Sequence, residues 1–295
     1  MQWKINFFIQ IQNDNSKLTG AILRLIERQR NGQEIDQGLV KKVVDSFVSL
    51  GLDEDDINRV HLDVYRNHFE IPFLRATEKY YKLKSVTFLA ENSISGYLKK
   101  IEEWLREEEG CVERHFNAET WNPLINSCVR VLIREKLELM YEASESFFAH
   151  DKDEDLRRMH GLLTRIPDGL EPLRSKFEEY LKRAGLAAIS RLVGEGGMVT
   201  AVDPKAYVDA LFEVHRKGSE VVRGSFKSEA GFVARLDKAC RGFVNENAAT
   251  GTPGVEPPEL LAKCADALLR RDKVAEEDLE SALERVVRIF DWFSI

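Results

Sequence analysis

The chain has 295 residues, enough for two domains of ordinary size or one elongated array, and enough to bury a core without disulfides or metals. Its 43 basic and 50 acidic residues give a net charge of −7, which argues against the basic footprint of a nucleic-acid-binding protein. Eight prolines and eighteen glycines are few for this length, which favours long helices.

The N-terminal segment, Met1–Ile11, is apolar but does not have the pattern of a signal peptide. Its apolar run is short, and Asn6 and Gln10 interrupt it. No later stretch approaches the length that a membrane-spanning helix needs. We therefore expect a soluble intracellular protein, in the cytoplasm, the nucleus or both. The scattered cysteines fit buried thiols in a reducing compartment; they are Cys111, Cys128, Cys240 and Cys264.

Helical periodicity dominates the chain, and strand patterns are nearly absent. Apolar residues recur every three or four positions along four stretches, as they do on the buried face of an amphipathic helix. These stripes predict helix core faces rather than cofactor contacts. In chain order they are Leu39, Val43, Phe47 and Leu50; Tyr97, Ile101, Trp104, Leu105, Cys111, Val112 and Phe116; Phe232, Leu236, Cys240 and Phe243; and Leu260, Leu261, Cys264, Leu268 and Leu269.

Capping residues and prolines indicate where helices begin. Asp151 and Glu154 have the spacing of a capping box, in which two side chains satisfy free backbone amides. Asp203 followed by Pro204 predicts another helix start, because a proline at the first helical position loses no hydrogen bond. Pro72 is expected to begin a helix or to kink one.

Two stretches are predicted to be loops. Residues 193–201 carry three glycines, and residues 248–258, which contain three of the eight prolines, form the best linker candidate. About ten helices follow one another in series, without an exact internal repeat. The sequence therefore predicts an all-α chain of stacked helical bundles or a solenoid.

A search for catalytic or metal-binding residues finds no complete site. The six histidines form no HExxH motif, and none follows a glutamate by three residues. Cys111 and His115 share a helix face, but two further metal ligands at a known spacing are missing. Gly194–Gly197 lacks the lysine of a Walker motif, and Glu107–Glu109 is interpreted as a solvated face. We expect no catalytic, cofactor-binding or metal-binding residue; which residues bind partners stays unknown.

Four groups of segments resemble the cullin family, and specifically its SCF-type, cullin-1-like members. Their order and spacing agree with the family from about Lys17 to Phe290, nearly the whole chain. The groups are Leu23–Gly32 with Val44–Asp53; Lys152–Met159 with Arg165–Leu170; Asp203–Val208 with Glu213–Lys217, Ala230–Ala234 and Leu236–Cys240; and Pro258–Lys263 with Leu268–Leu269.

The resemblance implies an elongated stalk of cullin repeats, each a small bundle of helices. In this family the first repeat binds a substrate-receptor adaptor, and a C-terminal domain binds the RING subunit and carries a lysine that a ubiquitin-like protein modifies. The cullin is the scaffold of the ubiquitin ligase and performs no chemistry itself. The chain would then comprise a divergent segment at residues 1–15 and two helical repeats at 16–150 and 151–295.

The expected function is that of a rigid spacer in an SCF-type ligase, acting in ubiquitin-dependent protein degradation. Its expected partners are proteins of ubiquitin-ligase complexes, without cofactor, nucleic acid or membrane. The adaptor-binding repeat and the RING-binding domain have no counterpart in the sequence, so we assign no residue to those roles. Apolar ends that would pack on neighbouring bundles are expected to be exposed and to promote self-association. The candidates are Phe7, Phe8 and Ile9, and Phe290, Trp292 and Phe293.

Two alternatives remain open. The chain could be a short, stalk-only cullin paralogue that binds cullin regulators and competes with the full-length protein, without ligase activity of its own. It could instead be a helical-bundle enzyme with an unrecognised site, which tight and stoichiometric metal binding would indicate.

Overall fold

A computed structural model of the chain describes residues 17–50, 62–193, 203–246, 257–269 and 276–293, and only the backbone of Val193, Pro257 and residues 276–282. These described residues form helices and turns and contain no strand, so the predicted all-α class is confirmed. Among them, no helix is both long and apolar enough to cross a membrane.

Several predictions concern residues outside those ranges. They are the divergent segment 1–15 with Phe7, Phe8 and Ile9, nearly all of the loop at 193–201 with Gly194–Gly197, and the linker up to residue 256. The last two residues of the predicted linker, Pro257 and Pro258, already belong to a helix.

The chain divides into two compact units, Met1–Leu137 and Glu138–Ile295. The division follows Leu137, whereas the resemblance suggested a boundary between family repeats near residue 150. How the family repeats correspond to these units stays a prediction.

Unit 1 is a bundle in which α4 packs against α1, α5 and α6, while α2 packs on α5. A π-helical turn and two 3₁₀ turns, at Arg66–Glu70, Ala118–Thr120 and Arg134–Lys136, lie between helices. The helices are α1 (Lys17–Arg30), α2 (Gln37–Ser49), α3 (Asp63–Tyr65), α4 (Ile71–Glu91), α5 (Ile94–His115) and α6 (Trp121–Leu132).

The buried face of α2 differs from the predicted stripe. Val40, Val44 and Phe47 are buried, whereas Leu39 is 48% exposed. Two apolar rows run side by side on this helix, about one residue apart, so periodicity alone does not decide which row faces the core. The predicted α5 face was correct for its members from Tyr97 to Val112, which are all buried, whereas its last member, Phe116, is half-buried.

Pro72 lies at the start of α4, directly after the π-helical turn, as its predicted role at a helix start requires. A proline has no amide hydrogen, so it cannot donate to the carbonyl four residues earlier. That carbonyl belongs to His68, and the Thr19 hydroxyl of α1 donates to it at 2.6 Å. The gap in the helical ladder thus becomes a contact between α1 and the chain entering α4.

Unit 2 is built around α9, which packs against α10 and α11, while α12 and α13 pack on α10 and on each other. The helices are α7 (Leu137–Ala149, beginning at the last residue of unit 1), α8 (Asp153–Leu163), α9 (Glu171–Val193), α10 (Pro204–Gly224), α11 (Ala230–Asn245), α12 (Pro257–Leu269) and α13 (Glu276–Phe290).

Only one of the two predicted helix starts in unit 2 is correct. The Asp203 side chain accepts a hydrogen bond from the Ala206 amide at 3.2 Å, and α10 begins at Pro204. The predicted capping box at Asp151 and Glu154 is wrong, since the residue before α8 is Lys152 and no side chain caps the helix. Asp151 instead adopts a left-handed backbone with φ of 51°, which places it in the turn.

The apolar faces of α11 and α12 were predicted largely correctly. Phe232, Leu236, Cys240 and Phe243 are all buried in α11. In α12 the stripe is buried up to Cys264, but its final residue, Leu269, is exposed.

The predicted exposure of the C-terminal aromatic residues is correct for Phe290 and wrong for Trp292. Phe290 is exposed, whereas the indole of Trp292 is buried against the His215 ring of α10, with 4.9 Å between ring centroids. The Trp292 carbonyl also accepts a hydrogen bond from the Asn245 side chain at 2.8 Å. Because α13 packs on α10, the end of the chain contributes to the core of unit 2.

The close packing of α9 against α11 depends on a glycine at one point of their contact. A Cβ atom built on Gly185 of α9 would lie 2.4 Å from the ring of Phe243, a buried residue of α11. No buried ring can retreat from such a contact without disturbing its neighbours.

We expect Gly185→Ala to lower the free energy of unfolding by about 1–2 kcal/mol, because the overlap with Phe243 outweighs the higher helix propensity of alanine. Urea denaturation followed by far-ultraviolet circular dichroism measures the change.

Gly161→Ala is the matched control. Gly161 is an exposed residue of α8, and a Cβ there would meet no atom within 4 Å, so this variant should be more stable by about 0.5–1 kcal/mol. A stabilised Gly185→Ala variant would contradict the packing argument.

Candidate functional site

The candidate site in unit 1 begins at the C-terminal end of α1. Gly32 adopts φ of 78°, a left-handed conformation that glycine takes without a steric cost. Its amide donates to the Gln29 carbonyl and that of Gln33 donates to the Arg28 carbonyl, which closes the helix end. This termination fixes Arg30, the last residue of α1, with its side chain directed between α4 and α5.

Arg30 and Glu108 form a buried bidentate ion pair. The Arg30 Nε and Nη2 donate to the two carboxylate oxygens of Glu108 at 2.7 and 2.8 Å. Nη2 also donates to the Thr77 hydroxyl at 2.8 Å, and the Tyr81 hydroxyl donates to Glu108 Oε1 at 2.7 Å. We call Arg30, Thr77, Tyr81 and Glu108 the Arg30 cluster. It joins the end of α1 to the middle of α4 and α5.

Electrostatics keep the Arg30 cluster charged although it is buried. Burial alone would lower the pKa of Arg30, but the Glu108 carboxylate raises it above the usual range. Burial, and then the Glu108 charge, raise the pKa of Tyr81, so its hydroxyl keeps its proton and donates. The guanidinium also lies over the rings of Phe73, Tyr80 and Tyr81, 5.3–5.5 Å from their centroids.

The interpretation of Glu107–Glu109 as a solvated face is wrong for its central residue. Glu107 is exposed, whereas Glu108 is only 2% exposed and fully engaged in the Arg30 cluster. Its partner lies 78 positions away along the chain, so no local spacing rule identifies the pair.

Unit 2 has a corresponding set of ion pairs between α9 and α11. The Glu178 carboxylate of α9 accepts from Arg235 at 2.6 Å and lies 3.1 Å from the ammonium groups of Lys182 and Lys238. Arg235 also contacts Glu171, the first residue of α9. We call Glu171, Lys182, Glu178, Arg235 and Lys238 the Glu178 cluster.

A second contact of opposite polarity fixes the N-terminal end of α11. Arg174 of α9 donates to both carboxylate oxygens of Glu229, at 2.9 and 3.1 Å. Glu229 caps α11 by accepting from the Gly231 amide at 3.1 Å. The anion is on α9 in the Glu178 cluster, and the cation is on α9 in the Arg174–Glu229 contact. A shift of one helix along the other would bring like charges together, so the two contacts favour one register of α9 against α11.

The pKa of Glu178 depends on two opposing effects, burial and hydrogen bonding to its basic neighbours. Burial alone would raise this pKa, but the hydrogen bonds from Arg235, Lys238 and Lys182 outweigh it and lower the pKa to about 2. The carboxylate therefore stays ionised in the folded protein at every pH above that value.

The buried histidines and the four cysteines contribute to packing. The ring nitrogens of His115 and His160 are buried without hydrogen-bond partners among the described residues. Burial lowers the pKa of both histidines and of His215, the last to about 4, so the three rings are neutral near pH 7. Burial also raises the pKa of all four thiols, which disfavours a reactive thiolate.

Cys111 and His115 are both buried on α5, as the shared helix face predicted. Within the described parts of the chain, no three His, Cys, Asp or Glu side chains come close enough to hold one metal ion. The described arrangement can orient and fix helices.

Comparisons with known proteins identify one family. The model of the cullin alpha solenoid domain matches residues 1–294. Cullin-1 of Dictyostelium discoideum is 40% identical over 280 residues, which cover 94% of this chain and 36% of that protein.

Two further relatives agree. Cullin-1 of Schizosaccharomyces pombe is 34% identical over 292 residues, and Cullin-1 of Caenorhabditis elegans is 33% identical over 307 residues. In both cases 98% of this chain and 38% of the relative are covered. The chain thus spans well under half the length of these curated relatives.

We expect Glu108→Gln to destabilise unit 1 by about 3–5 kcal/mol, because it leaves the buried Arg30 guanidinium without a counter-charge. Urea denaturation followed by the intrinsic tryptophan fluorescence, to which Trp104 beside Tyr81 contributes, measures the change.

Glu107→Gln serves as the control for Glu108→Gln, since the exposed neighbour should change stability by less than about 0.5 kcal/mol. Arg30→Met combined with Glu108→Leu should recover most of the lost stability, because it removes both charges together. Equal effects of Glu107→Gln and Glu108→Gln would show that the buried ion pair does not contribute to the stability of unit 1.

We expect Glu178→Gln to destabilise unit 2 by about 1–2 kcal/mol at neutral pH. The folded-state pKa of Glu178 is about 2, below the ordinary 4.5, so its stabilising effect is complete above about pH 4.5 and is lost as the pH falls towards 2. The difference between the two proteins in urea denaturation should therefore shrink over that pH range.

Glu179→Gln, at the exposed neighbouring position, is the control for this pH series. A Glu178→Gln deficit that stays constant down to pH 2 would contradict the assigned ion pairs.

Proposed function

The chain belongs to the cullin family and is cullin-1-like, and from this premise we propose that it is a non-catalytic scaffold segment of an SCF-type cullin–RING ubiquitin ligase. In this role it holds the substrate receptor and the ubiquitin-conjugating machinery at a fixed separation. The observation that carries the proposal is the match of the cullin solenoid model to nearly every residue of the chain.

The helix contacts support a spacer role. The Arg30 cluster fixes three helices of unit 1 with charged groups that have no alternative partner inside the core. The Glu178 cluster and the Arg174–Glu229 contact fix α9 against α11 in unit 2. A helical unit whose charges pair only in one register resists sliding of its helices, as a spacer of constant length requires.

The proposed partners are the protein components of ubiquitin-ligase complexes, and the proposed process is ubiquitin-dependent protein degradation. The chain contributes geometry to ubiquitin transfer, and the reactive groups belong to its partners. We propose a cytoplasmic or nuclear location, where such ligases act.

We expect the chain to replace the corresponding segment of Dictyostelium discoideum Cullin-1 in a chimera. In a reconstituted reaction, the chimera should transfer ubiquitin to a receptor-bound substrate at a rate close to that of the parent, because the spacing between the two ends is preserved.

A chimera with a Gly/Ser linker of equal residue number is the matched control, and it should lose transfer because a flexible chain does not hold its ends apart. Equal activity of the linker chimera would contradict the rigid-spacer role. Inactivity of both chimeras, with adaptor and RING subunit still bound, would contradict the scaffold assignment.

The size of the endogenous protein separates this proposal from the stalk-only paralogue. An antibody against residues 203–238 should detect a protein more than about twice the 33.8 kDa of this chain if the segment works within a complete cullin. A single band near 33.8 kDa would favour the regulator that competes with full-length cullins.

A further inference from the structure

Unit 1 has an open groove between α1 and α4, with a volume of about 500 Å³. We call it the α1/α4 groove. Its floor is apolar and includes Leu23 and Ile26 of α1 and Ala76 of α4, and Leu83 of α4 lies at its edge. A volume of this size is typical of sites that accept several side chains of a ligand or peptide.

The apolar floor continues onto the outer surface of α4. Leu83 is 71% exposed at the edge of the groove, and Val86, nearly one turn further along, is 53% exposed. Single exposed apolar residues are common, but Leu83 lines a concave apolar surface, and Val86 lies close to it on the same helix.

The charges that line the groove are mostly positive. Arg24, Lys79 and Lys84 line it, and Glu27 is the only carboxylate among the lining residues. Arg30 also reaches the groove, but Glu108 already neutralises it. Among the described residues, Arg24 and Lys79 have no carboxylate within ion-pair distance.

Lys84 is half-buried in this groove, and its hydrogen bonds to other described residues go to neutral oxygens. Its ammonium donates to the Tyr80 hydroxyl and lies 3.4 Å from the Arg30 carbonyl oxygen. Burial lowers the pKa of Lys84; the nearby Glu107 charge raises it, and the charges of Lys100 and Arg30 lower it further. A carboxylate placed in the groove would relieve this cost, which makes a negative ligand more favourable there than at an exposed lysine.

We propose that the α1/α4 groove is a docking surface for an acidic amphipathic helix of a partner protein. The apolar face of that helix would lie on Leu23 and Leu83, and its carboxylates would pair with Arg24, Lys79 and Lys84. A third helix fits a groove between two packed helices by placing its ridge of side chains into it. The sign of the lining charges selects an acidic helix over a basic one. This surface does not depend on the ligase role proposed above.

The test uses the full chain and two labelled model peptides, each about four helical turns long. Both carry leucines on one face; the other face carries glutamates in the first peptide and lysines in the second. Fluorescence anisotropy should show binding of the acidic peptide that weakens as salt is raised, and no binding of the basic peptide.

Charge reversal at the groove supplies the decisive comparison. Arg24→Glu combined with Lys79→Glu should weaken binding of the acidic peptide by about tenfold or more. Leu83→Ser should weaken it independently, through the loss of the apolar contact. Lys41→Glu combined with Lys42→Glu, at two exposed lysines of α2 that do not line the groove, should leave the affinity unchanged. Circular dichroism checks that every variant is folded.

Three results would overturn the proposal. The first is equal binding of the acidic and basic peptides. The second is an equal loss of affinity in the two charge-reversed variants. The third is sedimentation of the chain alone as a dimer that Leu83→Ser dissociates, which would assign the groove to a second copy of the chain.

Discussion

The arrangement of unit 1 depends on the buried contact between the Arg30 guanidinium and the Glu108 carboxylate. Removing two charges from water is costly, and their mutual attraction offsets that cost only when the geometry is close and the remaining hydrogen-bonding groups are satisfied. Here Tyr81 and Thr77 satisfy those groups at 2.7 and 2.8 Å. A shift of α1 along α4 by a single turn would separate the charges inside the core. The pair therefore excludes alternative packings more strongly than it adds stability to the observed one.

In unit 2 the packing of the helices is fixed by charges that are less buried and by small residues. The Glu178 cluster and the Arg174–Glu229 contact lie at the edge of the α9–α11 contact, where lysine and arginine stems cover the apolar surface. Gly185 lets the Phe243 ring of α11 approach the backbone of α9 directly. Each unit thus fixes its helices by a combination of shape and charge.

The proposed scaffold role requires no reacting atoms. It requires interiors that hold the helices in place and surfaces that contact partners. The buried histidines and the thiols fit this role, because burial lowers the pKa of His115, His160 and His215 and raises the pKa of the thiols. The α1/α4 groove is different, since two of its cations, Arg24 and Lys79, have no carboxylate within ion-pair distance among the described residues. Charges that stabilise nothing within a fold are candidates for contacts with another molecule.

The sequence alone determined the helical class, the start of α10 at Pro204, the buried faces of α5 and α11 and the family, because each of these follows from local periodicity, from backbone chemistry or from segments in a fixed order. It did not identify the Arg30–Glu108 pair, whose partners are far apart in the chain, and it placed Glu108 in solvent. It also chose Leu39 rather than Val40 for the core and exposed Trp292. Only the tertiary structure decided these points. The neighbouring helix determines which row of a helix is buried and which charged group is removed from solvent.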